Sequence, residues 1–213
     1  MKTEQEEINL LFISNNHLPF RAEISAKELE INWGNGNPSI YKDIPLTTIS
    51  HEFENEGIQH IIIRGKKINS LDLSHLGLRF LSIANCENLE YLDCSVNELN
   101  ILDLSQCQRL EELYCNSNNL QILDLSSLTA LQQANLSYNV LKNLDIRNCK
   151  ALRNLYCSNN RLTQINAGKN NALSDLDVSN NLLEEEALKQ LLSILTKSNP
   201  DIILCRTQNP GNK

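Results

Sequence analysis

The side chains able to carry chemistry are seven cysteines, four histidines and 26 acids set against 19 bases. The cysteines stand at 86, 94, 107, 115, 149, 157 and 205, and no two have the C-x-x-C spacing of a zinc or dithiol site. His17, His51, His60 and His75 have no paired acid or nucleophile motif around them, so no general base with its partner is legible. A phosphate-cradling G-x-x-x-x-G-K loop is absent from the sequence. These patterns point away from an enzyme and nominate no catalytic, metal or cofactor-binding residue. The net charge of −7 lacks the basic footprint of a nucleic-acid binder. No stretch approaches the roughly 20 apolar residues that span a bilayer, so membrane insertion is not expected.

The elements that must position any remaining site announce themselves by a repeat. From Leu89, apolar residues return in alternating steps of 10 and 11 through Leu99, Leu110, Leu120, Leu131, Leu141, Leu152, Leu162 and Leu173 to Leu183. The first half of each 21-residue unit reads L-x-x-L-x-C-x-x-N, as in Leu89, Leu92, Cys94 and Asn97, and its asparagine recurs at 118, 139, 160 and 181. The second half reads L-x-x-L-D-L-S-x-C, as in Leu99, Leu102, Leu104 and Cys107, and degrades by Asn170. An earlier unit, Ile68 to Asn88, keeps the spacing but has Leu76 where the asparagine belongs. L-x-L is a strand period, and a turn must follow for the chain to return along the other side. One coil cannot bury its own apolar ring, so coils must stack into a solenoid. The asparagine would satisfy turn backbone groups that burial leaves unpaired. The cysteines fall in the inward register and read as small buried hydrophobes.

These motifs resemble the leucine-rich repeat superfamily. LDLS at 102–105 and 123–126 and YCSNN at 156–160 are similar to short-repeat proteins of bacterial surfaces and commensals, related to internalin-type repeats. The resemblance implies a mainly β α/β repeat: a right-handed solenoid of about five 21-residue coils, used as a binding scaffold. Both ends need caps. After Asn181, EEEALKQLLSILTK puts Ala187, Leu188, Leu191, Leu192 and Leu195 on one helical stripe that Pro200 ends. A final strand at Ile202–Cys205 and Asn209-Pro210-Gly211 would complete a C-terminal cap over 184–213. Residues 1–57 alternate short apolar runs with turns and read as a small β cap, leaving 58–183 to the solenoid and Ile58, Ile61, Ile63 and Ile68 to a degenerate transitional coil. Trp33-Gly34-Asn35-Gly36, followed by His51, Phe53 and Gly57, resembles a polycystic-kidney-disease-type β-sandwich fragment, with both glycines expected at positive φ. The apolar run in MKTEQEEINLLFIS is about six residues, short of a signal-peptide core. A cytoplasmic location is therefore expected, or the cell surface if a signal has been removed.

If the first half-coils form a continuous sheet, three columns face outward. They are Ser70, Tyr91, Glu112, Gln133, Asn154, Asp175; then Asp72, Asp93, Tyr114, Asn135, Tyr156, Asp177; then Ser74, Ser95, Asn116, Ser137, Ser158, Ser179. These positions hold five acids, three tyrosines and no lysine or arginine. Tyrosine buries area while keeping a hydrogen bond, and an acidic field steers a basic partner. Tyr91, Asp93, Glu112, Tyr114, Asn154, Tyr156, Asp175 and Asp177 are the expected contacts for a protein or peptide. A surface adhesion module that binds glycan or extracellular matrix is the alternative reading. On the other side, Asp103, Asp124 and Asp145 are expected to be either solvated or held by turn N–H groups and neighbouring hydroxyls, and Phe80, Ile101 and Ile122 to pack at the core edge, with a partner or dimer contact as the alternative.

Overall fold

The structure, a computed structural model, describes residues 5–14, 19–168, 172–199 and 203–210. Alternating apolar residues near the N-terminus form four long strands: β1 (Glu6–Ser14), β2 (Phe20–Asn32), β3 (Ser39–His51) and β4 (Gly57–Lys66). The repeat then lays down short strands: β5 (Ser70–Asp72), β6 (Phe80–Ala84), β7 (Tyr91–Asp93), β8 (Glu112–Tyr114), β9 (Gln133–Asn135), β10 (Asn143–Asp145), β11 (Asn154–Tyr156), β12 (Gln164–Asn166) and β13 (Asp175–Asp177). Helix α1 (Glu185–Ser198) and strand β14 (Ile203–Cys205) close the chain.

The fold is a leucine-rich repeat solenoid. Strands β5, β7, β8, β9, β11, β13 and β14 pair in that order, all parallel, with no register slip. The central residues of the first six, Leu71, Leu92, Leu113, Ala134, Leu155 and Leu176, form one fully buried column, and Leu204 of β14 is partly buried at its end. Cys94, Cys115 and Cys157 fill a second inward column, and Cys86, Cys107 and Cys149 a third; all six thiols are buried and unbridged. Burial pushes the Cys149 thiol up to about 11 and the Cys107 thiol to about 12, so they act as inert packing groups.

The asparagines staple each coil to the one before it. Asn118 Nδ2 donates to the carbonyls of Cys94 and Cys115, and its Oδ1 accepts from Leu99 N–H at 2.9 Å. Asn97, Asn139, Asn160 and Asn181 repeat the arrangement. Asn209 is a further rung, accepting from Leu183 N–H and donating to Val178 O. The residue before each rung sits in the left-handed region: Val96 (φ 53°), Ser117 (57°), Tyr138 (57°), Asn159 (56°), Asn180 (54°) and Gln208 (58°). That conformation turns the chain inward so the amide can reach backbone that no water can reach. Among the described residues every buried side-chain nitrogen and oxygen has a partner.

The N-terminal cap is continuous with the solenoid. β2 pairs with β5 through Glu23–Ser25 and with β4 through Glu28–Asn32, while β3 covers its other edge. β4 pairs with β1, and β1 with β6 in the second half of the first coil. The cap sheet therefore runs from β5 to β6, the two strands of the first coil, and covers the end of the core. Residues 58–66, expected to open a degenerate coil, instead continue a cap strand begun at Gly57, because both edges of β4 are taken by antiparallel neighbours. The cap strands belong to the same twelve-stranded sheet as the repeat. Trp33 stacks on His51 at 4.2 Å, meets Phe20 edge-on at 5.5 Å and donates Nε1–H to Ser39 Oγ at 3.0 Å. Gly34 and Gly36, at φ 90° and 81°, make the turn that brings β3 back along β2.

At the other end α1 buries Leu188, Leu191 and Leu195, while Leu192 is half-buried and faces the edge of the stripe. Glu185 and Glu186 lie in its first turn and Lys197 in its last, matching the helix dipole. Among the described residues no helix is long and apolar enough to cross a membrane. His17, Asn170, Pro200, Ile202 and Gly211 lie outside the described residues.

Candidate functional site

The parallel sheet of the repeat arrays the first two outward columns in register. Across neighbouring strands, Ser70, Tyr91, Glu112, Gln133, Asn154 and Asp175 stand side by side, as do Asp72, Asp93, Tyr114, Asn135, Tyr156 and Asp177. Strand neighbours lie about 4.8 Å apart, so adjacent side chains can act together on one ligand. Glu112 is exposed; Tyr91, Asp93, Tyr114, Asn154, Tyr156, Asp175 and Asp177 are half-buried. The eight expected residues thus occupy one surface.

Hydrogen bonds link Glu112, Tyr114, Gln133 and Asn154 in one run and Tyr156 with Asp175 in a separate pair. The rings of Tyr91 and Tyr114 lie 5.7 Å apart at 45°. Tyr114 donates its hydroxyl to Glu112 Oε2 at 3.1 Å and accepts from Gln133 Nε2, and Gln133 Oε1 accepts from Asn154 Nδ2 at 3.2 Å. Tyr156 donates to Asp175 Oδ2 at 2.9 Å. Burial raises the Tyr91 phenol above its usual range, reinforced by Asp93 and Asp72. Tyr114 is raised by burial and by its bond to Glu112, and Tyr156 first by its bond to Asp175. The three hydroxyls stay protonated at neutral pH and serve as donors and hydrogen-bonded apolar rings, while the negative charge resides on the carboxylates.

Two expectations are corrected. Ser95, Ser137, Ser158 and Ser179 are buried, not an outward third column. Each strand ends after three residues, and the acid or amide of the second column accepts the serine N–H: Asp93 from Ser95 at 2.8 Å, Asn135 from Ser137 at 3.2 Å, Asp177 from Ser179 at 2.9 Å. The side-chain alternation stops at that turn. Phe80, Ile101 and Ile122 do not pack at the core edge; they are 46%, 78% and 81% exposed, because the residue before the inward leucine of the second half-coil points away from the solenoid. Asp103 and Asp124 accept the N–H groups of Ser105 and Ser126, and these bonds lower their pKa; Asp145 is held by the Arg147 guanidinium.

One contributor lay outside the repeat. The pairing of β2 with β5 sets Glu23 directly opposite Asp72, so the second column continues into the cap as Glu23, Asp72, Asp93. No period marks Glu23; only the pairing of β2 with the first coil places it. Among the described residues no group of three histidines, cysteines or acids is arranged to hold a metal ion.

No protein-family model matches the chain, and no curated protein matches it in sequence. Solved leucine-rich repeat proteins do match its structure. A leucine-rich repeat protein of Leptospira interrogans is 26% identical, with a TM-score of 0.50 over 55% of this chain. The leucine-rich repeat domain of APL1 is 29% identical, with a TM-score of 0.50 over 59%. The functional domain of InlJ from Listeria monocytogenes is 23% identical, with a TM-score of 0.41 over 68% of this chain and 44% of its own. The chain spans only 31% and 32% of the length of the first two.

Proposed function

We propose that the chain is a non-enzymatic protein-interaction scaffold whose concave face recognises a basic protein or peptide segment. The observation that carries this is the in-register array itself. The two columns hold three tyrosines and five carboxylates, and no lysine or arginine interrupts them. An extended basic segment laid across the strands would meet an acid or a phenol at nearly every step. The leucine-rich repeat neighbours support a scaffold in general terms. The six buried thiols support a reducing, cytoplasmic setting, where unbridged cysteines persist. The finer likeness of the sequence to internalin-type surface repeats, with a polycystic-kidney-disease-type cap, favours the second reading, an adhesion module that binds glycan. The amide run Gln133, Asn135 and Asn154 beside Tyr156 has the donors and ring such a ligand would use.

The test is retention of proteins from a lysate of the source cell by the intact chain beside a Tyr91→Ala, Tyr114→Ala, Tyr156→Ala variant, at low and moderate salt. A basic protein held by the intact chain alone, and released by salt, supports the proposal. Equal retention by both moves the site off this face, and retention of glycans without protein favours adhesion.

A further inference from the structure

We propose that a cavity at the cap end of the concave face seats a lysine or arginine side chain of the partner segment; this rests on the reading of that face as a site for a basic segment. The cavity has a volume of about 600 Å³ and lies where the start of β2 meets the first turn of the solenoid. That is within the range of clefts that hold small ligands, with room for a long side chain and its flanking backbone. Glu23, Asp72 and Glu98 supply carboxylates, Phe12 and Leu76 an apolar wall, and Arg21 a guanidinium.

Carboxylates directly opposite on paired antiparallel strands repel each other. Elsewhere in the cap such acids are matched by cations: Glu7 by Arg64 at 2.8 Å, Glu28 by Lys66 at 2.7 Å, Glu30 by Arg64 at 3.5 Å. Glu98 is likewise paired, with Arg79 at 2.9 Å. Glu23 and Asp72 face each other with no ion pair to a described residue. Their bonds come from the Thr48 hydroxyl at 3.2 Å and the Ser74 N–H at 2.8 Å. Asp93, one strand further along, extends the same negative row. An ammonium or guanidinium group between Glu23 and Asp72 would relieve the repulsion while its methylene stem lies on the apolar wall. Arg21, two positions from Glu23 on the same face of β2, disfavours a bare cation. It favours an occupant that brings carbonyl oxygens, which a peptide does. The row then gives the partner a direction: its anchoring cation at the cap, the rest of the segment running over Tyr91, Tyr114 and Tyr156.

The test titrates the full-length, isotope-labelled chain with Nα-acetyl-arginine N-methylamide, reading backbone amide shifts by NMR. Saturable shifts at residues 23, 72 and 74–77 are expected. The double variant Glu23→Gln, Asp72→Asn should bind about tenfold more weakly. A control with the same charge change on the convex side, Asp103→Asn with Asp124→Asn, should bind within about twofold of the parent. Both pairs are isosteric, and the first removes a repulsion, so folding is expected to hold. Shifts elsewhere, no saturable shift, or equal binding by Glu23→Gln, Asp72→Asn would overturn the inference. Because the probe is a single residue, it reports the cavity and not the tyrosines. A salt-sensitive basic protein retained through the tyrosines but unaffected by the double variant would sink this inference alone; probe binding without such retention would sink only the broader reading.

Discussion

The cap and the solenoid bury sheets of similar character by different means. In the solenoid the core is leucine and cysteine, and the chain turns on a buried amide that bonds backbone in two successive coils. In the cap the core includes Phe12, Phe20, Trp33 and Phe53, with His51 against Trp33 and Phe53 and ring centroids 4.2 to 6.4 Å apart, and the turn between β2 and β3 is made by two exposed glycines. A repeating coil can use one solution many times, because each asparagine meets the same neighbours. A cap has one outer neighbour missing and must close with bulky rings and long antiparallel strands. The two regions are nevertheless joined by β2–β5 and β1–β6 pairing, so they should unfold together.

The largest expected effect tests that union from the cap side. Trp33→Ala removes a ring that is 4% exposed, together with its bond to Ser39. Loss of such a side chain costs about 3–5 kcal/mol. Urea unfolding followed by circular dichroism should show one transition at a lower midpoint. A second transition, with the repeat surviving at the original midpoint, would show that the cap folds as a separate unit.

From the solenoid side, Asn139→Ala orphans Leu120 N–H in the interior and takes one of two asparagine donors from each of the carbonyls of Cys115 and Leu136, which keep Asn118 and Asn160. One unpaired buried donor and two lost amide bonds make this cost about 2–3 kcal/mol. Trp33, the single tryptophan, reports on the cap by fluorescence while circular dichroism reports on the whole chain. Both signals should shift together. A fluorescence midpoint that stays in place would break the comparison in the other direction.

A smaller gain is expected at Val96, a β-branched residue held at φ 53° and 39% exposed. Asn159 and Asn180 occupy the equivalent turn position in later coils. Asparagine tolerates the left-handed region far better than valine, and little burial is lost, so Val96→Asn should stabilise by about 1 kcal/mol. A neutral or lower urea midpoint would mean that the valine contributes packing this exposure does not reveal.

How much could be read beforehand follows the same division. The register of the two concave columns was legible because a 21-residue period fixes every rung once one is placed. The buried serines were misread because strand alternation was carried past Asp93 and its equivalents, where the Asx turn ends it. Asn209 escaped notice as a rung because α1 is inserted before it and breaks the spacing. In the cap, β1 pairs with β4 across most of the region, Glu6 facing Gly65 and Ser14 facing Gly57, and no local pattern specifies such a partner. That is why the fourth strand was assigned to the repeat, and why Glu23 was missing from the face it extends.

The smallest expected effect concerns His51, which links the aromatic cluster to pH. Burial against Trp33 lowers its pKa below the ordinary 6.5. Below that value the unfolded chain takes up a proton that the folded chain resists, so stability is complete above 6.5 and is lost as the pH falls through the folded value. His51→Phe keeps an aromatic ring beside Trp33 and removes the titration. Between about pH 7.5 and pH 5 the parent should lose more stability than the variant, measured as urea midpoints by Trp33 fluorescence. Carboxylates titrating in the same window affect both proteins alike and cancel in the difference. An identical loss in the two would mean that the imidazole ionises as freely against Trp33 as in water, leaving the stack without a pH-dependent part in the cap.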